Sequence, residues 1–188
     1  VALVQSSLTA REIRLAGRSD AEVGLLVTGS TLLADRVLSL DGLSAGTVSN
    51  SGAGLFVDYD GTLGSVLQMV DATSSAGSEM RLTGRNQAGF AGAILAGGDA
   101  GSSNETRVVV GGGSLTVQGT TNGNNTGTGL TLLGTSAQPG GLLLNTLSAT
   151  GVTLQGTTSD GTGTGLSAQY SSILRSEEHT SELQSRYV

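Results

Sequence analysis

Asp58 and Asp60 are the first residues whose types and spacing could do chemistry, because a pair of carboxylates is what glycosidases place around a glycosidic bond. Separated by i, i+2, they would share one face of a strand, and Asp71 and Asp99 could approach from other parts of the fold. Their surroundings favour a plainer role. These acids lie near Gly61 and Gly97-Gly98, where Asp serves ordinary turns, and no Lys or His accompanies them as a third group. Gly97-Gly98-Asp99-Ala100-Gly101 could suggest calcium, but the GGxGxDxUx pattern is not repeated in tandem, so the segment reads as a loop. Ser and Thr are abundant, yet a hydroxyl nucleophile needs a base, no G-x-S-x-G elbow is expected in the body, and the one histidine, His179, lies in a tail set apart below. The run Asn122-Gly123-Asn124-Asn125, with Asn145, suits amide ladders at corners, or donors and acceptors shown to a glycan. Asn104-Glu105-Thr106 and Asn124-Asn125-Thr126 spell the glycosylation triplet, which chance supplies often in such text, and no modification is assigned to them. Tyr59, Phe56 and Phe90 are too scattered for an aromatic platform. The expectation is no catalytic residue, no cofactor-binding residue and no metal ligand.

The elements that would position any such group must come from an unusual composition. Of 188 residues 31 are Gly, 24 Ser and 23 Thr, with a single Pro, no Cys and no Trp, while hydrophobic residues reach 37%. That apolar share is too high for plain disorder. With aromatics at 3%, the core must be built from Leu, Val, Ile and Ala, which suits many thin, similar layers better than one bulky globule. The net charge of -6 lacks the footprint of a nucleic-acid binder or a polybasic membrane anchor. All nine basic residues are Arg, which excludes a Walker phosphate loop, a Schiff-base lysine and a Ser-Lys dyad. Absence of Cys excludes disulfides, thiolate nucleophiles and Cys-ligated zinc, and leaves the redox compartment undetermined. No apolar run is long enough for a transmembrane helix, and no signal peptide opens the chain. Val1 in place of Met suggests an internal fragment of a longer protein.

Two sections are expected. Residues 175–188, RSEEHTSELQSRYV, hold 5 charged residues in 14 and no Gly, against 19 charged residues in the preceding 174. Residues 175–185 resemble the in-frame translation of a common short-read sequencing adapter, so this tail is expected to be non-native and to add no buried apolar column to the body. The alternative is an acidic C-terminal helix capped by Ser176.

Residues 1–174 carry a repeat of about 37 residues, clearest over 82–170. Val117-Gln118-Gly119-Thr120-Thr121 returns as Leu154-Gln155-Gly156-Thr157-Thr158, and Thr126-Gly127-Thr128-Gly129-Leu130 returns as Thr162-Gly163-Thr164-Gly165-Leu166. A Gly-plus-apolar marker recurs with its glycine at 24, 54, 92, 129 and 165, and a companion marker ends at Gly17, Gly42, Gly84, Gly119 and Gly156. Alternation of apolar residues with Thr in Leu115-Thr116-Val117 and Val152-Thr153-Leu154 predicts strands, and the following Gly predicts a corner with positive φ. Further short strands are expected at Arg107–Val110, Leu142–Leu144 and Val37–Leu40. Residues 1–15 are compatible with a strand or a short helix.

A propeller blade would need aromatic signatures, and a sandwich gives no reason for echoes at constant offset. Stacked coils of a parallel β-helix do, because each inward residue returns above its equivalent. At about 20 residues per coil, 37 residues would make two coils and the body roughly nine, a rod of roughly 43 Å. Leu130, Leu132, Val152, Leu154 and Leu166 are expected inward, Thr131 and Thr153 outward.

The strings Gly151-Val152-Thr153-Leu154-Gln155-Gly156-Thr157-Thr158 and Gly161-Thr162-Gly163-Thr164-Gly165-Leu166-Ser167 resemble the tandem repeats of filamentous haemagglutinin-like exoproteins. The resemblance implies an all-β, right-handed parallel β-helix, exported by two-partner secretion through an outer-membrane transporter and displayed or released as an adhesin. It carries over no functional residue, because the matched motif is scaffold. The family's secretion domain is not in this sequence. The expected role is a structural and adhesive segment of a large bacterial surface or secreted protein, meeting host-surface glycans or proteins through its full-length parent and binding no nucleic acid. Alone, the fragment is expected to self-associate through open strand edges. An autotransporter passenger, or a fragment of a β-helix polysaccharide lyase or tailspike-type glycosidase, stands as the alternative.

Overall fold

The computed structural model describes residues 1–45, 52–69, 78–87, 90–122, 127–134, 141–146, 149–159 and 163–174. The tail expected at 175–188, Asp71 and residues 123–125 of the Asn run lie outside them. In chain order the strands are β1 (Ala2–Val4), β2 (Ser7–Ser19), β3 (Leu25–Thr28), β4 (Thr31–Ser44) and β5 (Ala53–Asp58). Then come β6 (Val66–Met69), β7 (Glu79–Asn86), β8 (Ala91–Gly97), β9 (Thr106–Val110) and β10 (Ser114–Thr121). The last are β11 (Thr128–Gly134), β12 (Leu142–Asn145), β13 (Gly151–Thr158), β14 (Thr164–Gln169) and β15 (Ser171–Leu174). The all-β expectation therefore holds for the described residues. The N-terminal ambiguity resolves to strand: along β2, Ile13 is buried while its neighbours Glu12 and Arg14 are exposed, the period of a strand rather than a helix.

All strand pairs run parallel, in two curled sheets. One has the order β1-β3-β5-β8-β11-β14, the other β13-β10-β7-β4-β6-β9-β12-β15, with β2 on β4. The second sheet bends within β4, whose Thr31–Ala34 portion pairs with β6 and whose Val37–Ser44 portion pairs with β7. At the same level β2 slips register between Ala10 and Glu12, the bulge that lets a long strand turn a corner. The chain thus lays down three rows of parallel strands, one strand of each row per pass.

Register makes each inward residue stack on its equivalent. Leu25, Leu55, Ala93 and Leu130 form one fully buried column, and Val27, Val57, Leu95 and Leu132 form the next. From the facing sheet come Leu38, Met80 and Leu115, and Leu40, Leu82 and Val117. Each Leu, Val or Met among them contributes about 1.5–3 kcal/mol relative to exposure, so a long apolar spine replaces the missing aromatic rings. Thr131 and Thr153 point away from this spine, as expected, and Val152 and Leu154 pack against it half-buried. Leu166 is the departure: it pairs with buried Leu130, yet remains 40% exposed, because no described strand covers β14 on its far side.

Two expectations need correction. Val117 pairs directly with Leu82 on one side and Leu154 on the other, and the latter is 37 residues away. The repeat is therefore one pass of the chain, not two coils. Six strands in the first sheet span five spacings, about 24 Å rather than 43 Å. The recurring glycines also have a different cause. Gly17, Gly42, Gly84, Gly119 and Gly156 lie in one column, and none of them, nor of the partner set 24, 54, 92, 129 and 165, has positive φ. The two columns press together where the sheets meet: a Cβ on Gly42 would lie 2.0 Å from the Gly54 carbonyl oxygen, and one on Gly119 would lie 1.9 Å from that of Gly129. Glycine is required there by backbone approaching backbone, not by a left-handed turn.

Candidate functional site

The outward positions of β2, β4, β7, β10 and β13 are set by the same alternation that buries Leu40, Leu82 and Val117. Register stacks them as Arg14-Ser39-Arg81-Thr116-Thr153, Ala16-Asp41-Thr83-Gln118-Gln155 and Arg18-Leu43-Arg85-Thr120-Thr157. Equivalent groups therefore lie one strand spacing apart, about 4.8 Å. Between β4 and β13 this surface is shallowly concave, about 370 Å³, and lined almost entirely by polar side chains.

Within it the groups pair across strands. The Arg85 guanidinium donates through Nη2 to both Asp41 carboxylate oxygens, at 3.1 and 3.0 Å. Gln118 Nε2 donates to Gln155 Oε1 at 3.1 Å, an amide ladder 37 residues apart in sequence. Arg81 Nε reaches the Thr83 hydroxyl at 3.5 Å, and among the described residues Arg81 has no carboxylate partner. Its charge is left to solvent or to a ligand.

The residues singled out in the sequence fall elsewhere. β5 ends at Asp58, so Asp58 and Asp60 do not lie on a continuing strand as an i, i+2 pair. Asp60 Oδ1 accepts from the Thr62 amide and hydroxyl, both at 2.8 Å, and from the Leu63 amide at 2.7 Å. Asp60 Oδ2 accepts from Gln5 Nε2 at 2.7 Å, tying this loop to the first pass. These donors, the Leu63 N–H foremost, hold the Asp60 carboxyl well below the usual carboxylate range. Burial pushes Asp58 the other way, against a smaller opposing pull from the Tyr59 N–H. Asp99 belongs to a loop in which its amide donates to Asn104 Oδ1 at 2.8 Å, so Asn104 of the glycosylation triplet is engaged, and Thr106 of the same triplet is fully buried. Phe90 is exposed at 57%, while Phe56 and Tyr59 are half-covered.

Sequence reasoning overlooked three arrangements. Gly42-Leu43-Ser44-Ala45-Gly46 has the spelling G-x-S-x-G, but a nucleophile elbow needs a sharp strand-to-helix turn. Ser44 instead continues β4, paired with Ser19 and Asn86, and is buried. A hydroxyl ladder also lines the corner between the first two rows: the Ser6, Ser30 and Ser65 amides donate to the side-chain oxygens of Ser30, Ser65 and Thr106, at 3.1, 3.4 and 3.3 Å. Third, an amide ladder is present at Gln118 and Gln155; the echo of Val-Gln-Gly-Thr-Thr in Leu-Gln-Gly-Thr-Thr was its signal. Among the described residues no three His, Cys, Asp or Glu side chains converge as a metal site would require. Comparison of the chain with protein-family models, curated proteins and solved structures gives no match.

Proposed function

We propose that residues 1–174 are a segment of a right-handed parallel β-helix, serving as a structural and adhesive stretch of a large bacterial surface or secreted protein of the filamentous haemagglutinin-like kind. The observation that supports this reading best is the outward columns, in which Thr116 and Thr153, Gln118 and Gln155, and Thr120 and Thr157 present the same group on successive passes. A surface that repeats its chemistry with its strands adds contacts in proportion to its length. One pass gives little affinity, whereas many passes acting together give avidity. On this reading an outer-membrane transporter exports the unfolded chain, whose lack of Cys removes any disulfide obstacle to threading. Host-surface glycans or proteins are the partners.

The test is retention of beads bearing one, two or four tandem copies of residues 1–174 on host epithelial cells. Retention should climb more steeply than copy number, with no breakdown of polysaccharides offered to the chain. Equal retention of one and four copies would remove the avidity argument. Polysaccharide turnover that Asp58→Asn abolishes would replace the adhesive reading with an enzymatic one.

A further inference from the structure

We infer that a second copy of this chain docks on the exposed edge of β14 and β15 through its own β1 and the first residues of β2, so that copies stack head to tail into an open filament. This goes beyond the adhesive reading and makes no use of it. The template is the contact that the fold already makes between its first two passes. There β1 and β2 lie parallel on β3 and β4, with Ala2 opposite Leu26 and Leu8 opposite Leu32. The Leu26 and Thr31 amides donate to the Val1 and Ser6 carbonyls, at 2.9 and 2.8 Å. Following the columns from strand to strand carries Leu26 through Phe56, Ile94 and Thr131 to Ser167. It carries Leu32 through Leu67, Val108 and Leu144 to Ile173. A further level on this edge therefore has the register of β1 and β2. Val1, Ala2 and Leu3 of a second copy lie over Leu166, Ser167 and Ala168, and its Leu8 lies over Ile173. Val1 and Val4 at one edge and Leu166 and Ile173 at the other are exposed, and Val1 over Leu166 extends the buried column that ends at Leu130.

Two further observations favour this partner. The corner between the first two rows carries loops in the third and fourth passes, at 59–65 and 98–105. The chain turns instead at a left-handed residue between β1 and β2, Gln5 at φ 45°, and in the equivalent place between β14 and β15, Tyr170 at φ 50°. The two surfaces that meet thus share one corner, and no loop stands between them. Charge is the second. Residues 1–10 and 163–174 hold no charged side chain and no Pro, so neither edge carries the devices with which sheets prevent pairing. β13 belongs to the pass before β14 and β15, lies a level short of the second copy, and takes no part. About eight residues of edge on each copy, at about 3.3 Å per residue and a sheet thickness near 10 Å, bury roughly 500 Å² in all, below the class of stable complexes. The association is therefore weak and concentration-dependent. Because the two edges differ, the contact is heterologous, and because the columns continue along the rod, it propagates rather than closes. Each copy adds six strand levels, about 29 Å.

The test is disulfide capture on the 188-residue chain, which has no cysteine of its own. Ala2→Cys and Ser167→Cys are made in separate chains and mixed. Within one chain these positions stand five strand spacings apart, about 24 Å, so any bridge between them joins two copies. Mild oxidation of the mixture should give a mixed dimer at least tenfold more abundant than the like-with-like dimer that either chain forms alone. One chain carrying both changes should give a ladder of oligomers on a non-reducing gel. Adding Leu166→Glu should cut capture at least tenfold with an unchanged circular-dichroism spectrum. Phe90→Ser, which removes an exposed ring beside β8 in the middle of the first sheet, should leave capture as it was. Like-with-like dimers as abundant as the mixed one would show edges meeting without polarity and would overturn the proposal. So would equal losses from Leu166→Glu and Phe90→Ser, the mark of unspecific apolar contact, or a parent chain that stays monomeric by light scattering up to about millimolar concentration.

Discussion

Replacing Gly119 with Ala adds one methyl group within the tight seam between the two sheets. The new Cβ would lie 1.9 Å from the Gly129 carbonyl oxygen, 2.6 Å from its carbon and 2.8 Å from the Ala93 nitrogen. All three neighbours are backbone, so no side chain can swing aside. Restoring ordinary contact requires β10 and β11 to separate by about 1.5 Å, and a gap of 0.5–1 Å already forfeits a quarter to a half of a dispersion contact. The displacement passes to Gly84 and Gly156, which flank Gly119 in the same column. A cost at the upper end of overpacking, about 3 kcal/mol, follows. For a chain of this size that corresponds to a fall of about 6–12 °C in the thermal midpoint. Gly151→Ala is the matched control: it lies in β13, its φ is not positive, and its Cβ would meet nothing within 4 Å. That change should be neutral or slightly stabilising, since Ala restricts the unfolded chain. The assay is thermal unfolding followed by far-ultraviolet circular dichroism on both variants. Similar midpoints for Gly119→Ala and Gly151→Ala would refute the close-approach explanation of the glycine columns.

Three further outcomes follow from burial, charge and edges. Leu130→Ala should cost about 2–5 kcal/mol in urea unfolding, as fully buried leucines do, whereas Leu166→Ala, at a 40% exposed position of the same column, should cost less than half as much. Asp60 has its folded pKa lowered by the Leu63, Gln5 and Thr62 donors, so its contribution is present above the unfolded value of about 3.9 and is lost as pH falls toward the folded one. Asp60→Asn should therefore lower the midpoint at pH 7 and converge with the parent chain in acid. Asp58 has its folded pKa raised by burial, so its contribution is present below the unfolded value and is lost as pH rises through the folded one. Asp58→Asn should raise the midpoint at pH 7 and converge in acid; the same sign for both variants would contradict the assigned environments. Finally, Leu166 and Ile173 are exposed on β14 and β15, and light scattering should show concentration-dependent association that Leu166→Glu with Ile173→Glu reduces.

The repeat was legible because parallel stacking copies register into sequence: whatever faces the core at Val117 faces it again at Leu154. How many strand layers fill one period was not legible, since spacing gives the length of a repeat and not the number of sides a pass makes. The glycine columns were visible but misattributed, because a positive φ and a backbone contact both select glycine and leave the same letter. The Arg columns could have been found: Arg18 and Arg85 each follow a marker glycine, Gly17 and Gly84, once the markers are aligned. The turn role of Asp60 beside Gly61 was legible, but its tie to Gln5 was not, because Gln5 is 55 residues away and no periodicity links them. Leu166 was placed on the correct side of its strand, but exposure also depends on what lies beyond the strand, which its own sequence does not encode.

The central claim, that residues one repeat apart occupy neighbouring strands, is tested most directly by Thr116→Cys with Thr153→Cys. These positions are Cα partners on β10 and β13, and the chain has no cysteine of its own to confuse the result. Neighbouring strands place the pair about 4.8 Å apart, within the range a disulfide spans, whereas an intervening coil would put them near 10 Å, beyond it. Mild oxidation should close an intramolecular disulfide in the folded monomer, seen by mass spectrometry and gel mobility, while Thr116→Cys with Leu133→Cys, on different sheets, should not. Failure of the first pair to close in folded protein, with both thiols still reactive, would contradict the one-pass repeat and the outward columns built on it.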